Sequence, residues 1–390
     1  MLRFSFFRFS PHFLIVFLFA ASSCAVGAPT RTPSKPAPAP VLAAKSWILI
    51  DHTTGQTLTA KDADSRVEPA SLTKLMTAYL TFKELKEGRI SEGQLVQVSA
   101  AAWKQTGSRM FIEPRVPVSV GDLIRGVIVQ SGNDACVALA ELIAGSEEKF
   151  AEMMNEEAKR LGMTKSNFMN SNGLSDPRHY STARDMATLA RAIIHKYPQY
   201  YSIYSLKSFT YNRITQQNRN RLLYIDPTVD GMKTGQTKEA GYCMVSSSKR
   251  GPRRLISVVL GASSDNARVQ ESLKLLNDGF KNHDLMRIYS ANQSLSQFKV
   301  WKGAEKHVDV GFMNDLVMSL PKGNPNKIEA TLESQQPVFA PLRKGDKLGT
   351  LKLAIDGKTY SYPVVALSDV PQAGYFGRMR DAVMLWFTNL

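Results

Sequence analysis

A chain whose strand-forming segments lie far apart, with helices between them, can complete a sheet only by bringing distant parts of itself together. Residues 46–50 (Ser-Trp-Ile-Leu-Ile) and 56–59, joined by a turn at Thr54-Gly55, read as a hairpin. The next strong strand signals are residues 242–246 and 255–260, joined at Lys249-Arg250-Gly251-Pro252, in a β-like stretch that starts at Val229. Between the two regions the apolar period is helical. Pro69 precedes Ser71, and Leu72, Leu75, Met76, Tyr79 and Phe82 then recur at helical spacing until Gly88. Further helices are expected over residues 121–129, 135–144, 147–161 and 182–195, the last capped by Ser181, and another over residues 269–280. This order implies one α+β domain, over residues 44–290, whose sheet is closed by remote segments.

Beyond residue 290 the signals are short strands with turns at Gly303, Lys322-Gly323-Asn324-Pro325, Lys344-Gly345 and Asp356-Gly357, so a small all-β module is expected over residues 291–372. Residues 373–390 place Phe376, Met379, Val383, Trp386, Phe387 and Leu390 on one helical face, with Arg378, Asp381, Thr388 and Asn389 elsewhere. So large an apolar face on a short terminal helix fits a membrane-interface anchor better than a span. A helix docked on the β module is the alternative.

At the other end, Arg3 and Arg8 precede an apolar run at residues 13–21, and small residues end at Val26-Gly27-Ala28. This is the three-part pattern of a signal peptide, residues 1–28, cleaved after Ala28. The run is shorter than the ~20 apolar residues of a spanning helix, so a retained anchor is the weaker reading. Ser22-Ser23-Cys24 loosely resembles a lipoprotein processing site, with Ala21 where a larger aliphatic residue is usual, and the choice between the two processing routes stays open. Residues 29–43, rich in Pro, Ala and Thr, read as a flexible linker. Loss of the leader removes Arg3 and Arg8 and takes the formal charge of the 390-residue chain from +15 to +13, which calls for an anionic partner. Export leaves a membrane surface or an acidic polymer rather than nucleic acid. Cys136 and Cys243 would then be the remaining thiols; one lies in an apolar helical stretch and the other in a strand-like one, so buried free thiols are expected in place of a bridge.

The sequence has no G-x-S-x-G elbow, H-E-x-x-H, P-loop or paired Cys-x-x-Cys, and His12, His52, His179, His195, His283 and His307 are scattered, as surface or satisfied structural histidines are. Ser71-Leu72-Thr73-Lys74 supplies a different nucleophile. A hydroxyl and an amine three residues apart at a helix start share one face, and a neutral lysine can take the serine proton if burial and neighbouring cations lower its pKa. The helix N-terminus adds N–H groups and a positive dipole for an oxyanion. The same S-x-x-K spacing recurs at Ser146, Ser246, Ser296 and Ser319, so spacing alone decides nothing. Only Ser71 is followed, 60 residues on, by Ser131-Gly132-Asn133 and, 102 further on, by Lys233-Thr234-Gly235.

With these three elements in this order the sequence resembles the penicillin-binding, serine DD-peptidase and β-lactamase superfamily. Ser131-Gly132-Asn133 in the form Ser-Gly-Asn-Asp-Ala, with residues 180–186 (Tyr-Ser-Thr-Ala-Arg-Asp-Met), is similar to the low-molecular-mass D-alanyl-D-alanine carboxypeptidases. The resemblance runs from about Ala44 to the C-terminus. It implies a catalytic domain with an antiparallel sheet flanked by helices, a β-rich second domain and a terminal amphipathic helix.

It also implies roles. Ser71 would be the acyl-enzyme nucleophile, Lys74 its base and the first candidate to activate the deacylating water, and Ser131 a proton relay to the leaving D-alanine. Asn133 would hold an amide of the substrate, Lys233 and Thr234 its carboxylate, with Arg268 as a second cation. Gly235 would let substrate lie against the strand edge, and the N–H of Gln236 would complete an oxyanion hole with that of Ser71. The partners implied are peptidoglycan stem peptides, β-lactams as covalent inhibitors and a membrane surface, in the periplasm at the inner membrane, with no metal or organic cofactor. Three alternatives stand beside this. A DD-endopeptidase could use the same residues. A β-lactamase would need an E-x-x-L-N glutamate, whereas residues 170–176 read Asn-Ser-Asn-Gly-Leu-Ser-Asp. A murein-binding scaffold with a retired site would have no reason to keep all seven motif residues.

Overall fold

The computed structural model describes residues 14–18, 40–322, 328–355 and 358–388. The chain divides into two compact units, residues 37–283 and residues 284–390 together with residues 1–36.

In the first unit β1 (Ser46–Asp51), β2 (Thr57–Lys61), β3 (Val229–Thr237), β4 (Gly241–Arg250) and β5 (Arg253–Ala262) form one antiparallel sheet in the order β2-β1-β5-β4-β3. The early hairpin joins the late strands through β1 and β5, with Ile50 opposite Ile256 and Ile48 opposite Val258. Both faces of this pair are covered. Ile48, Ile50, Ile256 and Val258 pack into the core built by the helical middle of the chain, while Trp47, Leu49, Leu255 and Val259 pack with Val269, Leu275 and Leu276. Side chains alternate between the faces, so burial on both requires the unbroken apolar runs seen in the sequence.

The longer helices are α1 (Lys74–Lys86), α2 (Asn133–Ala144), α3 (Glu147–Arg160), α4 (Ala183–Lys196) and α5 (Asp265–Asn282), with shorter ones between them. Three differ from the sequence reading. α4 is capped by Thr182, whose Oγ1 accepts from Asp185 N at 3.1 Å, and not by Ser181, which is held in an extended bridge to Val67. α5 begins earlier than expected because Ser264 caps it, accepting from Ala267 N at 3.0 Å. The helix expected over residues 121–129 is α-helical over Val120–Arg125 and then widens into a π-turn, Gly126–Gln130, that ends at Ser131. Cys136 and Cys243 are buried free thiols.

The second unit is all-β apart from its terminal helix. Its seven-stranded sheet runs Leu14–Leu18, Glu329–Ser334, Lys347–Ile355, Lys358–Ala366, His307–Gly311, Ser294–Trp301, Val338–Phe339, around a core that includes Val300, Val310, Met318, Leu353 and Val364. Leu14–Leu18 pairs antiparallel with Glu329–Ser334; the rest of the expected leader, Cys24 and Ala28 included, lies outside the described residues, as do the turns at residues 323–325 and 356–357. The terminal helix, Tyr375–Thr388, buries Asp381 against the backbone N–H of Lys302 at 2.7 Å and leaves Phe376 86% and Trp386 63% exposed. The side chain of Phe387, with Asn389 and Leu390, lies outside the description. Among the described residues no helix is long and apolar enough to cross a membrane.

Candidate active site

Ser71 sits on a 3₁₀ turn, Ala70–Thr73, and Lys74 is the first residue of α1. The turn is braced on three sides. Ala70 is held at φ +49°, a conformation a residue with a Cβ adopts only under constraint. Gly173 supplies part of that constraint: a Cβ there would stand 1.9 Å from the Ala70 carbonyl oxygen. On the same turn as Ser71, Thr73 Oγ1 meets His179 Nε2 at 2.9 Å, and His179 Nδ1 accepts from Met169 N at 3.3 Å. An Nδ1 that accepts leaves the proton on Nε2, and burial pushes the imidazole down to about 4, so His179 is the satisfied structural histidine of the sequence reading.

Lys74 is buried, with Nζ 3.0 Å from Ser71 Oγ, 2.7 Å from Asn133 Oδ1 and 2.6 Å from the Asn172 carbonyl oxygen. Burial is the main reason its pKa falls to about 8, and the positive charge of Arg219 adds to it. The three partners suit the neutral amine. Two of them can only accept, and a neutral amine has two N–H bonds to give; the third, a hydroxyl, can donate into the remaining lone pair. The nearby Cys136 thiol is pushed by burial up to about 12 and stays protonated.

The second motif stands on the π-turn. Ser131 has φ +62° and a buried Oγ without a hydrogen-bond partner. Asn133, at the start of α2, has Oδ1 on Lys74 and one Nδ2–H on the Thr106 carbonyl at 2.7 Å, which leaves a second Nδ2–H to donate. The next residue, Asp134, accepts from Met110 N at 3.0 Å, Phe111 N at 2.8 Å and Ile112 N at 3.3 Å, which pins the preceding loop onto the motif.

The third motif lies on β3, an edge strand. Lys233 Nζ donates to the Thr234 carbonyl at 3.0 Å, and burial, then the charges of Lys74, Arg219 and Arg268, hold its amine well below the ordinary lysine range. The structure gives a packing reason for glycine at position 235. A Cβ there would meet Pro69 O at 3.0 Å and the N atoms of Ser71 and Leu72 at 3.2 Å, so the missing side chain lets β3 press against the turn that carries Ser71. Gln236 follows and is exposed. Arg268 approaches from α5: Nη1 donates to the Gly235 carbonyl at 3.0 Å, Nη2 pairs with Asp265, and the guanidinium stands 5.4 Å from the centre of the Tyr242 ring. Its contacts in the structure tie α5 to the Gly235 backbone of β3.

Ser71, Lys74, Asn133 and the Gly235 backbone thus converge directly. Sequence reasoning missed Asn172, Asp134 and Arg219. The Asn172-Gly173 pair signals a turn, but nothing in a sequence shows where a backbone carbonyl will point. Among the described residues no group of three or more His, Cys, Asp or Glu is placed to hold a metal ion.

Residues 32–264 match the family described as D-alanyl-D-alanine carboxypeptidase, and residues 284–372 match the C-terminal domain of penicillin-binding protein 5. The chain is 41% identical over 381 residues to D-alanyl-D-alanine carboxypeptidase DacC of Escherichia coli (strain K12), covering 95% of this chain and 94% of that protein. Its fold is similar to penicillin binding protein 5 from Haemophilus influenzae, with a TM-score of 0.81 and 41% identity over 86% of this chain and all of that one (100%). Penicillin-Binding Protein D2 from Listeria monocytogenes, solved in an ampicillin-bound form, is similar over 63% of this chain and 100% of its own, at 30% identity and a TM-score of 0.58. With one family matched over most of the chain and the second domain matched in turn, the chain belongs to the D-alanyl-D-alanine carboxypeptidase family.

Proposed function

We propose that the chain removes the terminal D-alanine from peptidoglycan stem pentapeptides through an acyl-enzyme on Ser71. Neutral Lys74 takes the hydroxyl proton, and Oγ attacks the carbonyl carbon of the penultimate D-alanine. The N–H groups of Ser71 and Gln236 take the oxyanion. As the C–N bond breaks, the proton held by Lys74 is relayed through the Ser131 hydroxyl to the departing amine, which leaves Lys74 neutral again, with Lys233, Thr234 and Arg268 on the peptide's carboxylate and Asn133 on an amide of the substrate. Water, activated first by Lys74, then cleaves the ester and restores the hydroxyl.

The observation that carries this reading is the 3.0 Å approach of Lys74 Nζ to Ser71 Oγ, in surroundings that bring the amine to about 8. A β-lactam would acylate the same oxygen. Its release would be slow, because residues 170–176, Asn-Ser-Asn-Gly-Leu-Ser-Asp, stand in place of the E-x-x-L-N segment whose glutamate activates water in a β-lactamase. The test is D-alanine release from a pentapeptide by the wild type and Ser71→Ala. Release that survives the substitution overturns the mechanism; rapid penicilloate release favours a β-lactamase; penicillin labelling without D-alanine release favours a scaffold.

Residues 1–28 would export the protein, residues 29–43 would tether the catalytic domain of residues 44–290 and the β module of residues 291–372, and residues 373–390 would hold it at the periplasmic face of the inner membrane. Deletion of residues 373–390 should keep activity and release the protein from membranes; a truncated protein that still sediments with them removes the anchor.

A further inference from the structure

The terminal helix docks on its own unit through Asp381, and beside that contact lies a cavity of about 260 Å³. Its lining includes Lys299 and Trp301 of strand Ser294–Trp301, Lys306 just before strand His307–Gly311, and Arg380, Asp381 and Met384 of the helix, three cations to one carboxylate. Its charge is unbalanced. Asp381 is already shared between the Lys302 N–H and Arg380. Among the described residues Lys299 and Lys306 form no ion pair, and Lys299 Nζ rests 3.7 Å from the centre of the Trp301 ring.

The placement on the helix adds the second half of the argument. At roughly 100° per residue, the exposed Phe376, Met379, Val383 and Trp386 fall on one face, and Asp381 falls opposite. Arg380 and Met384 lie on the flank between them. A helix that buries its apolar face in an interface holds such a flank at headgroup depth, so the cationic cavity would open where lipid phosphates are.

We propose that this cavity binds the headgroup phosphate of an anionic phospholipid, so that the β module and the terminal helix together read membrane charge. The proposal rests on the interfacial reading of the helix. Its test is sedimentation of the full chain with phosphatidylcholine vesicles and with phosphatidylcholine containing phosphatidylglycerol. The variants are Lys299→Gln/Lys306→Gln and, as an equal charge change elsewhere on the unit, Lys344→Gln/Lys347→Gln. The expected result is about thirtyfold weaker binding of the first pair to anionic vesicles, with unchanged binding to neutral ones, and less than about threefold for the second. Equal losses for the two pairs would assign the effect to overall charge and overturn the site. So would displacement of the protein from anionic vesicles by inorganic phosphate at matched ionic strength, which would make this a soluble-phosphate site. Equal wild-type binding to both vesicles overturns the headgroup and leaves the anchor; binding to neither overturns the anchor as well.

Discussion

Lys74 Nζ lies 2.6 Å from the carbonyl oxygen of Asn172, closer than the 3.0 Å that separates it from Ser71 Oγ. With Asn133 Oδ1 as the other acceptor, that carbonyl turns the lone pair of a neutral amine toward the hydroxyl. The pKa of about 8 leaves roughly a tenth of Lys74 neutral at pH 7, some 300 times the fraction in an ordinary lysine.

Acylation should therefore rise tenfold per pH unit below about 8 and level off above it, read as the second-order rate of labelling by a fluorescent penicillin. Lys74→Arg, which cannot deprotonate, should lose at least about 10³-fold at every pH. A flat profile, or an active arginine variant, would show that Lys74 is not the base.

Asn133→Asp places a carboxylate at the 2.7 Å contact with Lys74 and should raise its pKa by about 1–3 units. The midpoint of the acylation profile should move up accordingly, with about 10- to 1000-fold less labelling at pH 7. Asn133→Ala should slow acylation without an upward shift of the midpoint.

Substitutions of the two glycines packed against the Ser71 turn should fail differently. Gly235→Ala meets Pro69 O at 3.0 Å, which a small displacement of the turn relieves, so acylation should drop about 10- to 100-fold with little change in Tm. Gly173→Ala meets Ala70 O at 1.9 Å from a backbone at φ +84°, and should cost more than about 2 kcal/mol in denaturant unfolding.

The contrast between these glycines bears on what a sequence can carry. The motif serines, lysines and Asn133 were legible because the chemistry needs those functional groups in that order. Gly235 was legible as a required small residue, but its packing against the Pro69–Leu72 backbone was not, since that backbone lies more than 160 residues away. The sheet was legible from strands buried on both faces. The cap of α4 was missed because Ser181 and Thr182 are equivalent locally, and only the pairing with Val67 assigns Ser181 to the extended segment. Asn172 acts through its carbonyl, which every residue has, and Arg219 is one of many exposed arginines in a basic chain.

His179 should make the catalytic unit acid-sensitive. Its folded pKa, about 4, lies below the ordinary 6.5, so the unfolded chain takes up the proton first. The stability it contributes is whole above pH 6.5 and is lost as the pH falls toward 4, up to about 3 kcal/mol. Unfolding free energies at pH 7 and pH 4 should differ by about that much more in the wild type than in His179→Gln. Parallel pH dependence in the two would contradict the buried neutral imidazole.

The most direct test of the central claim is to map the site of a β-lactam adduct by mass spectrometry after brief exposure and proteolysis. The account expects one adduct per chain, on the oxygen of Ser71, absent from Ser71→Ala and slowed but still on Ser71 in Ser131→Ala. An adduct on Ser131, or one that forms on the Ser71→Ala protein at the wild-type rate, would contradict it.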